Sequence, residues 1–148
     1  MCKLAAEKLG TRIFDFGLMR HPTLEWLGAS PDGVTADGAL VEIKCPLRRV
    51  ICDEVPHHYA PQIQVQLEVC QLEVCWFVQW KPASLNKGSE QLCITKVLRD
   101  REWFEKHKNT LFSFYNDFQE MMRTREPVPP PPPLPCPIDL TLYGEVPE

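Results

Sequence analysis

Leu27-Gly28-Ala29-Ser30-Pro31-Asp32-Gly33-Val34, followed by Val41-Glu42-Ile43-Lys44-Cys45-Pro46, is the pair of segments on which the fold reading turns. Pro31-Asp32-Gly33 reads as a tight turn, since each of these residues suits backbone that a strand or helix interior does not. Val41 to Lys44 reads as a short strand, on which residues two apart share a face. Glu42 and Lys44 then project together, with Val41 and Ile43 on the other side. Asp37-Gly38 is a hairpin signal that folds Asp32 back toward Glu42. Two carboxylates and one ammonium at one point suit metal-assisted phosphodiester hydrolysis. The carboxylates hold a hard divalent cation through oxygen, and the lysine holds or polarises a water. A plain hairpin with a solvent-facing Glu–Lys pair has the same spacing, so residue types alone leave both readings open.

Ser30-Pro31-Asp32-Gly33 with Glu42-Ile43-Lys44-Cys45-Pro46 resembles the PD-(D/E)XK nucleases, in particular the YqaJ-like viral recombinase branch that includes the phage-type alkaline exonucleases. His58-Tyr59-Ala60-Pro61-Gln62-Ile63-Gln64 looks like that family's tyrosine-to-glutamine segment, and Val74 to Trp80 is similar to the aromatic strand after it. The stretch from Glu90 to about Met122 is similar to the last strand and closing helix, so the resemblance spans about residues 3 to 122. It implies an α/β, restriction-endonuclease-like core, a mixed central β-sheet flanked by α-helices. It also implies a metal-dependent 5′-3′ exonuclease on double-stranded DNA ends, using Mg²⁺ or Mn²⁺ in recombination or replication. A single-strand annealing protein and a homo-oligomer are the partners to expect.

Carried over residue by residue, the resemblance makes Asp32, Glu42 and the backbone carbonyl of Ile43 the metal ligands. Lys44 would orient the attacking water, and Gln62, by its place in Tyr59-X-X-Gln62, would support the water or the lysine. Ser30 matches a serine of a terminal-phosphate pocket, with Arg49 a candidate beside it. The family carries a further N-terminal segment, with an acidic residue and an arginine, for which this sequence shows no counterpart. Residues 1–126 are therefore expected to form a nuclease domain lacking the family's N-terminal part. The alternative is a catalytically inactive nuclease-fold module that binds DNA or a protein.

A length of 148 residues suits one domain, which buries roughly two thirds of its unfolded surface. There is no apolar run of about 18 residues and no secretory pattern at the start, which leads us to expect no membrane partner and an intracellular location, cytoplasm or nucleus. The seven cysteines include no C-x-x-C pair, which reads as free thiols. His21, His57, His58 and His107 are scattered and read as surface or turn residues. The net charge of −4 leaves DNA binding open, because a metal neutralises its carboxylates and DNA contact needs only a local basic surface. Candidates for that surface are Lys44, Arg48 and Arg49 after the catalytic strand, and Lys96, Arg99 and Arg101 before the last helix.

Along the chain, Cys2 to Leu9 reads as a helix stopped by Gly10. Arg12–Phe16, Trp26–Ala29, Ala39–Cys45, Val74–Trp80 and Gln91–Val97 read as strands. Asp100 caps a helix from Arg101 to Met122, whose aromatic stripe (Trp103, Phe104, Leu111, Phe114, Tyr115, Phe118) reads as core packing. His57 to Leu72 is ambiguous: Ile63, Val65, Leu67 and Val69 alternate as in a strand, whereas Tyr59, Ile63, Leu67 and Cys70 fit one helical face. The resemblance favours the helix; Gln66, one turn after Gln62, either extends the same face toward the scissile phosphate or lies on an exposed polar stripe, and the stripe is the reading preferred for it. Residues 127–148 form a proline-rich tail, with five prolines in a row from Pro129 to Pro133. That composition favours an extended spacer.

Overall fold

The computed structural model describes residues 2–85 and 89–125. The proline-rich tail lies outside the described residues.

Helix α1 (Cys2–Leu9) leads into strands β1 (Ile13–Phe14), β2 (Met19–Arg20), β3 (Gly28–Ala29), β4 (Gly33–Thr35) and β5 (Leu40–Lys44). Helix α2 (Ala60–Cys70), β6 (Val74–Lys81), β7 (Gln91–Leu98) and α3 (Arg101–Thr124) complete the described part. The main sheet has the order β1-β4-β5-β6-β7, and β2 and β3 form a separate two-stranded ribbon. β5 and β6 are parallel, while the other neighbours in the main sheet are antiparallel. The sheet is therefore mixed, and α2 is the crossover that a parallel pair requires. The expected α/β architecture, a mixed sheet flanked by helices, is present.

The β4–β5 hairpin turns where the sequence places it. Gly38 has φ of 83°, a conformation that costs glycine little, and Thr35 N–H donates to Ala39 O at 2.8 Å. Gly33 serves a different purpose. A Cβ there would come within 2.4 Å of Ile13 Cγ2, so this glycine lets β1 approach β4.

The period-2 reading of β5 holds. Val41 packs with Ala5 of α1 and Val78 of β6, and Ile43 joins them. On the other face, Leu40 packs with Ile63, Leu67, Cys75 and Phe77 beneath α2. α2 also has a second apolar contact, in which Val69 meets Leu27 and Phe104 of α3. Helix α2 is thus held between the sheet on one side and the β2–β3 ribbon with α3 on the other. The N-cap expected for α3 is formed: the Asp100 carboxylate accepts from Trp103 N–H at 2.8 Å.

The aromatic stripe of α3 differs from the core packing expected of it. Phe104 is its one buried residue. Phe112, Phe114, Phe118, Met121 and Met122 are exposed, Phe114 at 71%. Trp26, between the ribbon strands, packs on the Phe112 and Tyr115 rings at 5.3 and 6.2 Å, so the stripe is only partly covered.

Candidate active site

Glu42 is at the centre. It is 2% exposed, inside the sheet, and both carboxylate oxygens are held by side chains. Oε1 accepts from Lys44 Nζ and, at 2.7 Å, from Gln62 Nε2. Oε2 accepts from Gln66 Nε2 at 2.8 Å. Hydrogen bonds to a charged group contribute about 1.5–3 kcal/mol each, and a buried carboxylate needs such partners to remain charged. Lys44 is next to Glu42 because both leave β5 on the same face, and its Nζ lies 5.1 Å from the Tyr59 ring centre.

Asp32 is exposed, at the bend just before β4. Its Oδ2 accepts from Ile43 N–H at 2.6 Å. β4 and β5 pair only at Gly33↔Val41 and Val34↔Leu40. The Asp32 side chain thus takes a strand N–H just past the end of the ladder, which fixes the carboxylate beside β5. Asp32, Glu42 and Lys44, which the spacing brings together, are thus gathered at one end of β5, and Gln62, which only the resemblance adds, is bonded to Glu42 there.

Gln66 requires a correction. Read as part of an exposed polar stripe, it is 3% exposed and bonded to Glu42. Its Oε1 is buried without a hydrogen-bond partner among the described residues. The amide is oriented by its donor, since turning it over would bring Oε1 against Glu42 Oε2. Gln62 and Gln66 lie one helical turn apart, and that spacing is the signal by which both could have been assigned to the carboxylate.

Ser30 and Arg49 do not share a pocket. Ser30 lines a cavity of about 380 Å³ with Gln62, Gln66 and Trp103, and Arg49 is absent from its lining. Arg49 instead donates to Gln79 Oε1 at 2.6 Å, and its guanidinium lies 5.8 Å from the Tyr59 ring centre, on the Lys44 side. Its Nη2 is buried without a hydrogen-bond partner among the described residues. Arg48 is exposed on the same loop.

The second basic set has other roles. Arg99, 7% exposed at its side chain, donates to Glu68 Oε2 at 2.6 and 3.1 Å, and Arg101 pairs with Glu73. Lys96 lies over the Trp76 ring at 5.9 Å. His21, read as a surface or turn residue, is 8% exposed. Its Nδ1 accepts from Leu24 N–H at 3.0 Å, which leaves the proton on Nε2, facing Glu68 Oε1 at 3.4 Å. Burial raises the Glu68 pKa, but hydrogen bonds from Arg99 and His21, with the charge of Arg99, bring it below the usual 4.5. This network ties the ribbon and β7 to α2.

Among the described residues no cluster of three or more His, Cys, Asp or Glu side chains could hold a metal, so no zinc-type cage is present there. The thiols at Cys45, Cys52, Cys70, Cys75 and Cys93 are free. No described helix is long and apolar enough to cross a membrane.

Residues 6–73 match the model of the YqaJ-like viral recombinase domain. An uncharacterized protein, R354, of Acanthamoeba polyphaga mimivirus is 32% identical over 102 residues, covering 51% of this chain and 19% of the viral protein. The fold is similar to that of an alkaline exonuclease (LHK-Exo) from Laribacter hongkongensis, at 25% identity and a TM-score of 0.68. The same enzyme in complex with dAMP matches equally well. The likeness covers 82% of this chain and 64% of the exonuclease, so the chain spans less than two thirds of either relative. Over residues 6–73 the chain is thus similar to the YqaJ-like viral recombinase domain, and over most of its length its fold is similar to that of an alkaline exonuclease.

Proposed function

We propose that the chain is a metal-dependent DNA nuclease, acting as a 5′-3′ exonuclease on double-stranded ends in recombination or replication. The observation that carries this reading is the convergence of Asp32, Glu42, Lys44 and Gln62 at the end of β5. The relatives supply the reaction class, since an alkaline exonuclease has the same fold.

The donor set fits Mg²⁺ or Mn²⁺. It is all oxygen, and its two carboxylates leave room for the waters that Mg²⁺ keeps. Asp32 and Glu42 would hold the ion with the carbonyl of Ile43. Within a strand, a residue's N–H and C=O point to the same edge, and the Ile43 N–H points to Asp32. When bound, the cation supplies an activated water and charge stabilisation at the phosphate. Lys44 would orient that water, exchanging its contact with Glu42 for one with the nucleophile. Gln62, exposed at the first turn of α2, would support Lys44 or the water. Gln66 would hold the second oxygen of Glu42, as partners behind metal ligands commonly do.

Ser30, Arg48 and Arg49 are proposed DNA contacts, with Arg48 and Arg49 on the side of Lys44, where phosphates would be drawn. Residues 1–126 would act as the nuclease domain and 127–148 as an appended tail. A homo-oligomer and a strand-annealing partner belong to the same reading. The test is digestion of linear, 5′-phosphorylated duplex DNA against closed circles. Loss of the linear form alone supports an exonuclease, equal cutting an endonuclease, and binding without cutting the inactive module.

A further inference from the structure

We propose that the aromatic groove between α3 and the β2–β3 ribbon is a docking site for the chain's own proline-rich segment, Pro127 to Pro137. The proposal is independent of the nuclease reading, since the groove holds none of the side chains gathered at Glu42.

α3 and the connection between the ribbon strands build the groove. Trp26 leans on the Phe112 and Tyr115 rings, with ring centres 5.3 and 6.2 Å away. Beside that contact is a cavity of about 200 Å³, with Trp26 and Leu27 on one wall and Phe114, Tyr115 and Phe118 on the other. Phe114 and Phe118 are both exposed. On the far side of Trp26 and Tyr115, a second cavity of about 810 Å³ carries the groove on toward Leu18 and Arg20. Leu111, Tyr115, Phe118 and Met122 are three or four residues apart and so share one face of α3. The apolar face thus continues past the groove toward Thr124, the last residue of the helix.

Chemistry and reach both select the occupant. Grooves lined by aromatic rings are what polyproline II segments dock onto, and such segments are already extended, so ordering them costs little. This chain carries one, Pro129 to Pro133 followed by Leu134-Pro135, and it starts close behind α3. Arg125 has already left the helix, with φ of −68° and ψ of 123°. Tyr115 precedes Thr124 by about 14 Å along an axis that rises 1.5 Å per residue. A polyproline II stretch advances about 3.1 Å per residue, so Pro127 to Pro132 covers about 16 Å. A chain that turns back after Arg125 therefore brings Pro132-Pro133-Leu134-Pro135 onto Trp26 and Tyr115. The short tether would hold the segment at a local concentration of about 1 mM, enough to fill even a weak site.

The test is a fluorescent peptide with the sequence of Pro127 to Tyr143, titrated by anisotropy against two full-length chains. One is unaltered, and in the other Pro129 to Pro133 and Pro135 are replaced by glycine. The glycine chain no longer competes for its own groove, so it should bind the peptide about ten-fold tighter or more. Adding Trp26→Leu to the glycine chain should abolish that binding. Phe118→Glu, at an exposed position, should do the same and serves if Trp26→Leu does not fold. Equal affinity for the unaltered and glycine chains would show that the chain's own segment does not fill the groove, and would overturn the proposal. So would no binding to the glycine chain, or undiminished binding in folded Trp26→Leu or Phe118→Glu. A difference between the two chains that vanishes on dilution would assign the segment to a second copy and overturn it as well.

Discussion

Replacing Gln66 by leucine separates the support of Glu42 from the stability of the fold. The substitution removes the hydrogen bond donated to Glu42 Oε2, worth about 1.5–3 kcal/mol for a charged acceptor. It also removes the unmatched buried Oε1, whose desolvation costs about 1–3 kcal/mol. The two contributions oppose each other and leucine has a similar volume, so stability should change by less than about 2 kcal/mol. For a chain of this size that is a melting shift of about 8 °C or less. Metal affinity has no such offset. A carboxylate that loses the partner fixing one of its oxygens should bind its ion about 10–100-fold more weakly. The assay pairs thermal melting without metal and a Mg²⁺ titration of DNA hydrolysis. Gln64→Leu is the control. Gln64 bonds Leu98 O at 2.9 Å and Asp100 N–H at 2.7 Å, so its loss orphans two backbone groups and costs about 2–5 kcal/mol, with no change in Mg²⁺ requirement. An unchanged Mg²⁺ requirement in Gln66→Leu, or a collapse of its stability comparable to that of Gln64→Leu, would refute the reasoning.

Arg99→Ala should destabilise the fold by about 3 kcal/mol, read by urea unfolding, because it strands the largely buried Glu68 carboxylate. The same carboxylate gives a pH dependence. Its folded pKa lies below the usual 4.5, so its contribution is present above 4.5 and is lost as pH falls below it. Melting temperature should drop over that acid range, and Arg99→Ala should flatten the drop. Thiol labelling should modify Cys45 and Cys52, which are exposed, while Cys75 stays unlabelled until unfolding. Burial, and then the charge of Glu42, raise the Cys75 thiol pKa well above its ordinary value.

What could be read from the sequence follows from how locally each feature is determined. Glu42 and Lys44 share a face because a strand's period is 2, and Asp100 caps α3 through a contact three residues away. The hairpin at Gly38 is equally local. α2 was ambiguous for a tertiary reason. Ile63 and Leu67 face the sheet, while Val65 and Val69 face the ribbon and α3. Two cores on opposite sides of one helix make every second residue apolar and mimic a strand. Gln66 was misread because its partner, Glu42, is 24 positions away. His21 and Arg99 likewise depend on Glu68, 47 and 31 positions distant. The short strands β2 and β4, two and three residues long, carry too little pattern to be found by period. The stripe on α3 shows the converse limit: periodicity gives an apolar face but not what covers it.

The central claim is tested most directly by incubating the full chain with linear, 5′-phosphorylated duplex DNA and Mg²⁺, beside Asp32→Ala, Glu42→Ala and Lys44→Ala. The account predicts digestion that stops when the metal is chelated and falls by a factor of ~10² or more in each variant, with the three folds intact. Near-full activity in Glu42→Ala would contradict it.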